Sequence, residues 1–156
     1  MTSAPMITPF LWFDGRCEEA AEFYVSIFPD SEILGAEEIP GGPAKGNGFV
    51  EFKIRGLKFA AVDGGPMYKF TPVISFVIPC ESQEEIDYYW AKLSEGGTES
   101  QCGWLEDKFG VSWQVTPAAL AEIMEGNPEA VMEALLTMQK IDIEKLRQAA
   151  SGGGSD

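Results

Sequence analysis

Histidine is absent from this chain of 156 residues. The imidazole side chain is the commonest metal ligand and the usual general base near neutral pH. Its absence excludes Ser-His-Asp hydrolysis, Cys-His proteolysis and zinc sites built on histidine. Any chemistry must therefore depend on carboxylates, thiols, amides, a lysine or a bound cofactor.

Basic residues are scarce as well. The chain has 11 Lys and Arg against 25 Asp and Glu, for a formal net charge of -14. This negative field repels phosphate backbones, and no basic stripe overcomes it locally, so nucleic acid is not an expected partner. No apolar run reaches the roughly 18 residues of a membrane-spanning helix, so no membrane association is expected either.

Cysteine is rare, and its pattern indicates the redox compartment. Cys17, Cys80 and Cys102 are odd in number and form no C-x-x-C motif. The first residues lack the basic and apolar segments of a secretory signal. Reduced thiols are typical of the cytoplasm, so we expect a cytoplasmic protein.

Hydrophobic residues, 45% of the chain, suffice for a packed interior. Short apolar or alternating runs bounded by Gly, Pro and Asp predict eight strands, and two segments have helical spacing. The predicted helices run from Cys17 to Phe28 and from the N-cap Ser82 to Leu93. The predicted strands are Ile7–Phe13, Glu32–Ile39, Phe49–Ile54, Leu57–Val62, Ile74–Pro79, Thr98–Cys102, Trp104–Glu106 and Val111–Thr116.

These elements occur in the same order twice. EEAAEFY (Glu18–Tyr24) and EEIDYYW (Glu84–Trp90) are 66 residues apart, and each follows an apolar strand and a breaker. The same shift places Phe10 on Phe76 and Trp12 on Ile78. The repeat predicts two βαβββ modules that share one sheet-built cleft.

A helical tail is predicted after the second module. Its helices begin at the N-cap and proline pairs Thr116-Pro117 and Asn127-Pro128, and at Asp142. An apolar stripe, rich in methionine, is formed by Met124, Val131, Met132, Leu135 and Met138. Because nothing later in the chain remains to cover this stripe, we favour packing against a second copy over packing within the chain.

Alternation along a strand assigns side chains to the two faces of a sheet. In the last strand Val111, Trp113 and Val115 are expected to pack against the helices, which leaves Ser112 and Gln114 on the cleft side. Gln114 is then either a ligand-binding amide or a group that makes structural hydrogen bonds.

The same alternation brings other residues to the cleft. Glu51 and Lys53 are close enough to pair with each other or with a ligand, and the alternative is a solvated sheet surface. Ser75 is expected to face the cleft, while Ile74 and its alternate neighbours pack. The repeat places Pro9, Leu11 and Phe13 on the cleft side too.

Three segments carry a resemblance to a known family. ITPFLWFDG with EEAAEFY, ISFVIPCESQEEIDYYWAKLSEGG and QCGWLEDKFGVSWQVTP are similar to PhnB-like proteins of the glyoxalase/bleomycin-resistance/dioxygenase (vicinal oxygen chelate) superfamily. Many of these proteins carry the label demethylubiquinone 3-methyltransferase. The resemblance extends from about Ile7 to Leu146.

The resemblance implies an α+β fold in which two βαβββ modules form a cup-shaped mixed sheet, with C-terminal helices, in a homodimer. We expect a single vicinal-oxygen-chelate domain at 1–150, with modules at about 7–64 and 73–117 and a helical tail at 117–149. Residues 151–156, rich in Gly and Ser, are predicted to be flexible.

In the superfamily's metal enzymes, four ligands project from the first and last strands of the modules, and vicinal substrate oxygens chelate the ion. Divalent ions prefer carboxylate or imidazole ligands. The positions of this chain that match the ligands are Pro9 or Thr8, Ala61 or Asp63, Ser75 and Gln114. Of these, only Asp63 and Gln114 are candidate ligands, and both are weak, so we expect no metal cofactor. Met67 stands where the resemblance suggests a histidine in relatives.

The resemblance therefore implies a protein that binds a small, partly apolar molecule in its cup. One alternative is a metal-dependent lyase, isomerase or dioxygenase. The other is the methyltransferase of the label, although GGPAKGNG, the only glycine-rich candidate for the methyl donor, is flanked by strands. Whether the protein is an enzyme stays open. The expected pocket residues are Glu51, Lys53, Ser75, Trp104, Ser112 and Gln114.

Overall fold

The computed structural model describes residues 6–152, and it divides into two compact units, one ending at Phe70 and the other beginning at Thr71. The first unit contains β1 (Phe10–Phe13), α1 (Cys17–Ile27), β2 (Glu32–Glu38), β3 (Gly48–Ile54) and β4 (Leu57–Asp63). The second contains β5 (Phe76–Cys80), α2 (Gln83–Ser94), β6 (Thr98–Glu99), β7 (Trp104–Glu106), β8 (Ser112–Pro117), α3 (Leu120–Met124), α4 (Pro128–Leu136) and α5 (Ile143–Ala150). The α+β class, the two βαβββ modules and the C-terminal helices are confirmed.

Both units have the same sheet topology. The strand orders are β1-β4-β3-β2 and β5-β8-β7-β6. In each sheet the first strand pairs parallel to the last, and the other pairs are antiparallel. Of the predicted flexible tail, Ser151 and Gly152 form a turn, and 153–156 lie outside the described residues. No helix within residues 6–152 has the length and apolarity needed to cross a bilayer.

In the first unit, α1 packs on one face of the sheet through aromatic contacts. Tyr24 of α1 stacks on Phe52 with ring centroids 6.2 Å apart, and Phe52 stacks on Phe59 at 5.3 Å. Val50 and Ile54 are buried on the same face, as alternation along β3 predicted. We call the face of each sheet opposite α1 or α2 the helix-free face.

The predicted faces of β1 are wrong. Leu11 and Phe13 are buried, 7% and 4% exposed, and Leu11 pairs with the buried Ala61 on the helix side. Phe10 and Trp12 therefore lie on the helix-free face, and Phe10 is 58% exposed. Pro9 precedes the strand.

This error has a simple cause in the connection between strand and helix. The buried Ile78 of β5 corresponds to Leu11 of β1, 67 residues earlier, whereas corresponding residues of α1 and α2 are 66 residues apart. The first module has one more residue between its strand and its helix than the second. Because side chains alternate, a one-residue difference exchanges the two faces of the strand.

In the second unit, α2 begins as its sequence predicts, because the Ser82 side chain accepts a hydrogen bond from Glu85 N at 3.2 Å. Its buried residues, such as Ile86, pack against β7 and β8. Ile74 was expected to pack, and this is wrong: it is 71% exposed, because β5 begins only at Phe76.

The tail packs within its own unit. Val131, Leu135 and Met138 are 0%, 8% and 9% exposed, so for these three the expectation that a second copy covers the stripe is wrong, whereas Met132 is 41% exposed. Thr116-Pro117 does not begin a helix, since Pro117 ends β8. The side chains of Asn127 and Asp142 cap α4 and α5 as predicted.

Gln83 of α2 fastens the tail to the rest of the second unit. Its Nε2 donates to Ile141 O and its Oε1 accepts from Ile143 N, both at 2.9 Å. On the other side of the same segment, Cys102 N donates to Met138 O at 2.8 Å. The chain between α4 and α5 is thus held from two directions.

Candidate functional site

A buried carboxylate organises the turn before β8. Asp107 is 2% exposed. Its Oδ1 accepts from Phe109 N at 2.9 Å and Val111 N at 3.0 Å, and its Oδ2 accepts from Trp113 Nε1 at 2.8 Å. These three hydrogen bonds compensate for burial of the charge. The sequence reasoning missed Asp107, although an acidic residue opening a turn next to a tryptophan was an available signal.

Anchoring Trp113 on the helix side places its neighbour Gln114 on the helix-free face. There Gln114 Nε2 donates to Ser75 Oγ at 2.9 Å. Trp104 of β7 lies directly opposite Gln114 in the sheet register, so their side chains emerge from the same face as close neighbours. Three of the predicted pocket residues are thereby brought together.

Gln114 has the structural role that its sequence position left open as one of two alternatives. Its amide nitrogen makes a structural hydrogen bond to Ser75, which fixes the orientation of the side chain. Its Oε1 makes no hydrogen bond within residues 6–152, and the residue is half-buried. A carbonyl oxygen held in this way can accept a hydrogen bond from a ligand.

Ser112, another predicted pocket residue, lies on the same face but is only 4% exposed. It pairs in register with Glu106 of β7, whose side chain is exposed. Glu106 was not among the predicted site residues. Its position two residues after Trp104 on one strand was the signal that could have found it.

Glu51 and Lys53 belong to the first unit, on the helix-free face of β3. Glu51 pairs with Lys58 at 2.9 Å, and Lys53 lies 3.7 Å from Asp30 and 3.9 Å from Glu32. The two residues thus pair with neighbouring segments and not with each other. This arrangement fits the alternative of a solvated, ion-paired sheet surface.

Asp63, the carboxylate among the weak metal candidates, accepts a hydrogen bond from the backbone. Its Oδ1 accepts from Cys17 N at 2.8 Å at the start of α1, and it lies on the helix side of β4, two residues from the fully buried Ala61. Among the described residues, no group of three or more Cys, Asp and Glu is arranged to hold a metal ion. A single amide oxygen from Gln114 does not make a divalent site, so the residues present do not fit the metal of the superfamily's enzymes.

The glycine-rich segment GGPAKGNG forms a closed loop between two antiparallel strands. Ile39 N donates to Asn47 O at 2.8 Å, and Gly46 N donates to Ile39 O at 2.9 Å. The loop leads from β2 into β3 and no helix follows it. A glycine-rich strand-to-helix turn, of the kind that takes the nucleoside of a methyl donor, is therefore not formed there.

Sequence and structure comparisons identify the relatives of this chain. The family model described as 3-demethylubiquinone-9 3-methyltransferase matches residues 5–116. It ends before α3, whereas the predicted resemblance extends to Leu146. A PhnB protein from Bacillus cereus with the same label is 37% identical, covering 73% of this chain and 100% of that one, with a TM-score of 0.66. No curated protein matches the chain.

More distant structures share the fold. The fosfomycin resistance protein FosX from Listeria monocytogenes, solved with Mn(II) and sulfate ion, is 17% identical, covers 78% of this chain and 98% of its own, and has a TM-score of 0.54. A glyoxylase/bleomycin resistance protein/dioxygenase domain from Frankia is 15% identical over 74% of this chain and 93% of its own, with a TM-score of 0.50. The chain therefore belongs to the 3-demethylubiquinone-9 3-methyltransferase family, a PhnB-like family with the fold of the glyoxalase/bleomycin-resistance/dioxygenase superfamily.

Proposed function

We propose that this protein binds a small, partly apolar molecule on the helix-free face of its second sheet, at Ser75, Trp104 and Gln114. The observation that supports the proposal is the 2.9 Å hydrogen bond that holds the Gln114 amide against Ser75, opposite Trp104. A fixed polar group beside an aromatic wall is the usual composition of a small-molecule site. Val77, 54% exposed, extends the apolar surface on β5.

Ligand screening by thermal shift tests this proposal. Hits are then measured by calorimetry against Gln114→Leu, which removes the amide but keeps an apolar side chain. The matched control is Gln101→Ala, an exposed glutamine near β7. Loss of one well-placed hydrogen bond weakens binding by roughly tenfold. Ligands that bind the Gln114 variant and the control equally well place the site elsewhere and contradict the proposal.

The proposed site works without a bound divalent metal. In support, the chain has no histidine, and Asp63 is engaged at the N-terminus of α1. Elemental analysis of tag-free protein, incubated with Zn, Mn, Ni and Fe and then desalted, is expected to give far less than one metal ion per chain. Stoichiometric metal that is lost in Gln114→Leu would revive the metalloenzyme alternative.

The proposed assembly is a cytoplasmic homodimer. The cytoplasm is supported by Cys17, Cys80 and Cys102, which form no disulfide within residues 6–152. A second copy is supported by the apolar residues Val73 and Ile74, which are 89% and 71% exposed. Analytical ultracentrifugation is expected to give twice the chain mass, and a monomer at micromolar concentration contradicts this assignment.

A further inference from the structure

The helix-free face of the second sheet is rich in groups that attract positive charge. Trp104 and Glu106 are two residues apart on β7, so both side chains emerge from this face. Opposite them in the register stand Gln114 and Ser112. An aromatic ring, a carboxylate and an amide carbonyl oxygen therefore lie on one surface.

No cation in the sheet balances these groups. The strands β5 to β8, all within the described residues, contain no Lys or Arg, whereas they contain Glu99 and Glu106. The Glu99 carboxylate accepts a hydrogen bond from Trp90 Nε1 at 2.6 Å. Glu106 is exposed and forms no ion pair within residues 6–152. Lys108, in the turn after β7, lies with its Nζ 5.5 Å from the ring centroid of Phe109.

The first sheet, unlike the second, contains basic residues. Its two strand lysines, Lys53 and Lys58, are each within ion-pair distance of carboxylates on neighbouring segments. Glu51 and both lysines of that sheet are thus compensated locally, whereas Glu37 and Glu38 of β2 are exposed. The second sheet has one exposed carboxylate beside an aromatic residue without such compensation, in a chain whose net charge is -14.

We infer that the ligand of this face is an organic cation: an amine or guanidinium carried on an apolar or aromatic body. The inference rests on the proposed function, since it names the ligand class of the same site. The ring of Trp104 attracts a cation through its π face, and Glu106 supplies the counter-charge. The Oε1 of Gln114, which its bond to Ser75 holds in place, accepts a hydrogen bond from the ammonium or guanidinium group. Anionic ligands meet the charge of Glu106 and a repulsive field.

Three probes of one shape and different charge test the inference by calorimetry: 2-naphthylmethylamine, 2-naphthalenemethanol and 2-naphthoate. We expect the amine to bind about tenfold more tightly than the alcohol, and the carboxylate to bind most weakly. The amine's affinity is expected to fall as salt rises from 20 to 500 mM, roughly the range over which exposed charges become screened.

Two variants that each remove one negative charge test whether Glu106 is the carboxylate that favours the amine. Glu106→Gln is expected to weaken binding of the amine about fivefold without changing binding of the alcohol. Glu133→Gln, on the exposed side of α4, is expected to change neither. Trp104→Leu keeps an apolar side chain but removes the ring, and is expected to weaken the amine more than the alcohol.

The outcomes separate this inference from the proposed function. Equal binding of the three probes, tightest binding of the carboxylate, or an amine affinity that Glu106→Gln leaves unchanged overturns the inference alone, because a small molecule still binds. Failure of all three probes to bind at millimolar concentration overturns both.

Discussion

Trp113 Nε1 donates a 2.8 Å hydrogen bond to Oδ2 of the buried Asp107. This bond fixes Trp113 on the helix side of β8, where its ring also lies 5.4 Å from that of Phe76. Neighbouring residues in a strand point to opposite faces. The same bond therefore determines that Gln114, the central residue of the proposed site, faces away from the helix.

Replacing Asp107 by Ala should destabilise the second unit. Three donors, two backbone N–H groups and the Trp113 indole, would lose their acceptor inside the protein. We expect the free energy of unfolding to fall by about 2–4 kcal/mol, measured by urea denaturation. Asp14→Asn, at an exposed carboxylate in the first unit, is the control and should change it little. An unchanged urea midpoint in Asp107→Ala would contradict this account of the turn.

Gly64 should not tolerate a side chain. A Cβ atom built there would clash with the ring of Trp12, whose Nε1 donates to Gly65 O at 2.9 Å. Gly64→Ala must displace the indole, and we expect a loss of about 1–3 kcal/mol together with altered tryptophan fluorescence. Gly41→Ala meets no atom within 4 Å and is the matched control. Equal melting temperatures for the two variants would show that Trp12 does not pack as described.

The thiol of Cys17 should make stability depend on alkaline pH. Burial, with a hydrogen bond to Asp63 and the charge of that carboxylate, raises the pKa of Cys17 from 9.0 to about 12. The native state therefore holds this proton more tightly than the unfolded chain does. Its contribution to stability is complete below about pH 9 and declines as pH rises towards 12.

Urea denaturation between pH 8 and 11 checks this dependence. Wild type should lose stability across the range, and Cys17→Ser, which lacks the titrating thiol, should lose less of it. Cys102→Ser, at a half-exposed cysteine, should decline as wild type does. Parallel curves for wild type and Cys17→Ser would exclude this thiol as the cause.

Gln83→Ala should loosen the tail. It removes both 2.9 Å hydrogen bonds to the segment between α4 and α5, and leaves the ion pair of Asp87 with Lys140, at 3.0 Å, in place. We expect a loss of about 1–3 kcal/mol and faster amide exchange at Ile143 and along α5. Gln101→Ala, at an exposed glutamine, is the control. Unchanged exchange at Ile143 would show that the hydrogen bonds of Gln83 do not hold the tail.

Local sequence patterns were sufficient to predict those features of the structure whose physical cause is local. The order of strands and helices follows from short apolar runs and breakers, and the start of α2 follows from Ser82 capping Glu85 N three residues later. Alternation assigned Val50 and Phe52 to the buried face of β3 without any knowledge of the partners. The family motifs likewise identified the family and its two-module fold.

Tertiary contacts decided what local patterns could not. One extra residue between β1 and α1 exchanged the faces of Leu11 and Trp12, because side-chain direction depends on register rather than on composition. Asp63 became the acceptor for Cys17 N, since the parallel pairing of β1 with β4 brings the end of β4 to the start of α1. The sequence alone determined the family, the element order and the absence of histidine chemistry. Only the folded chain brought Ser75 to Gln114, residues 39 positions apart, because that contact depends on the pairing of β5 with β8.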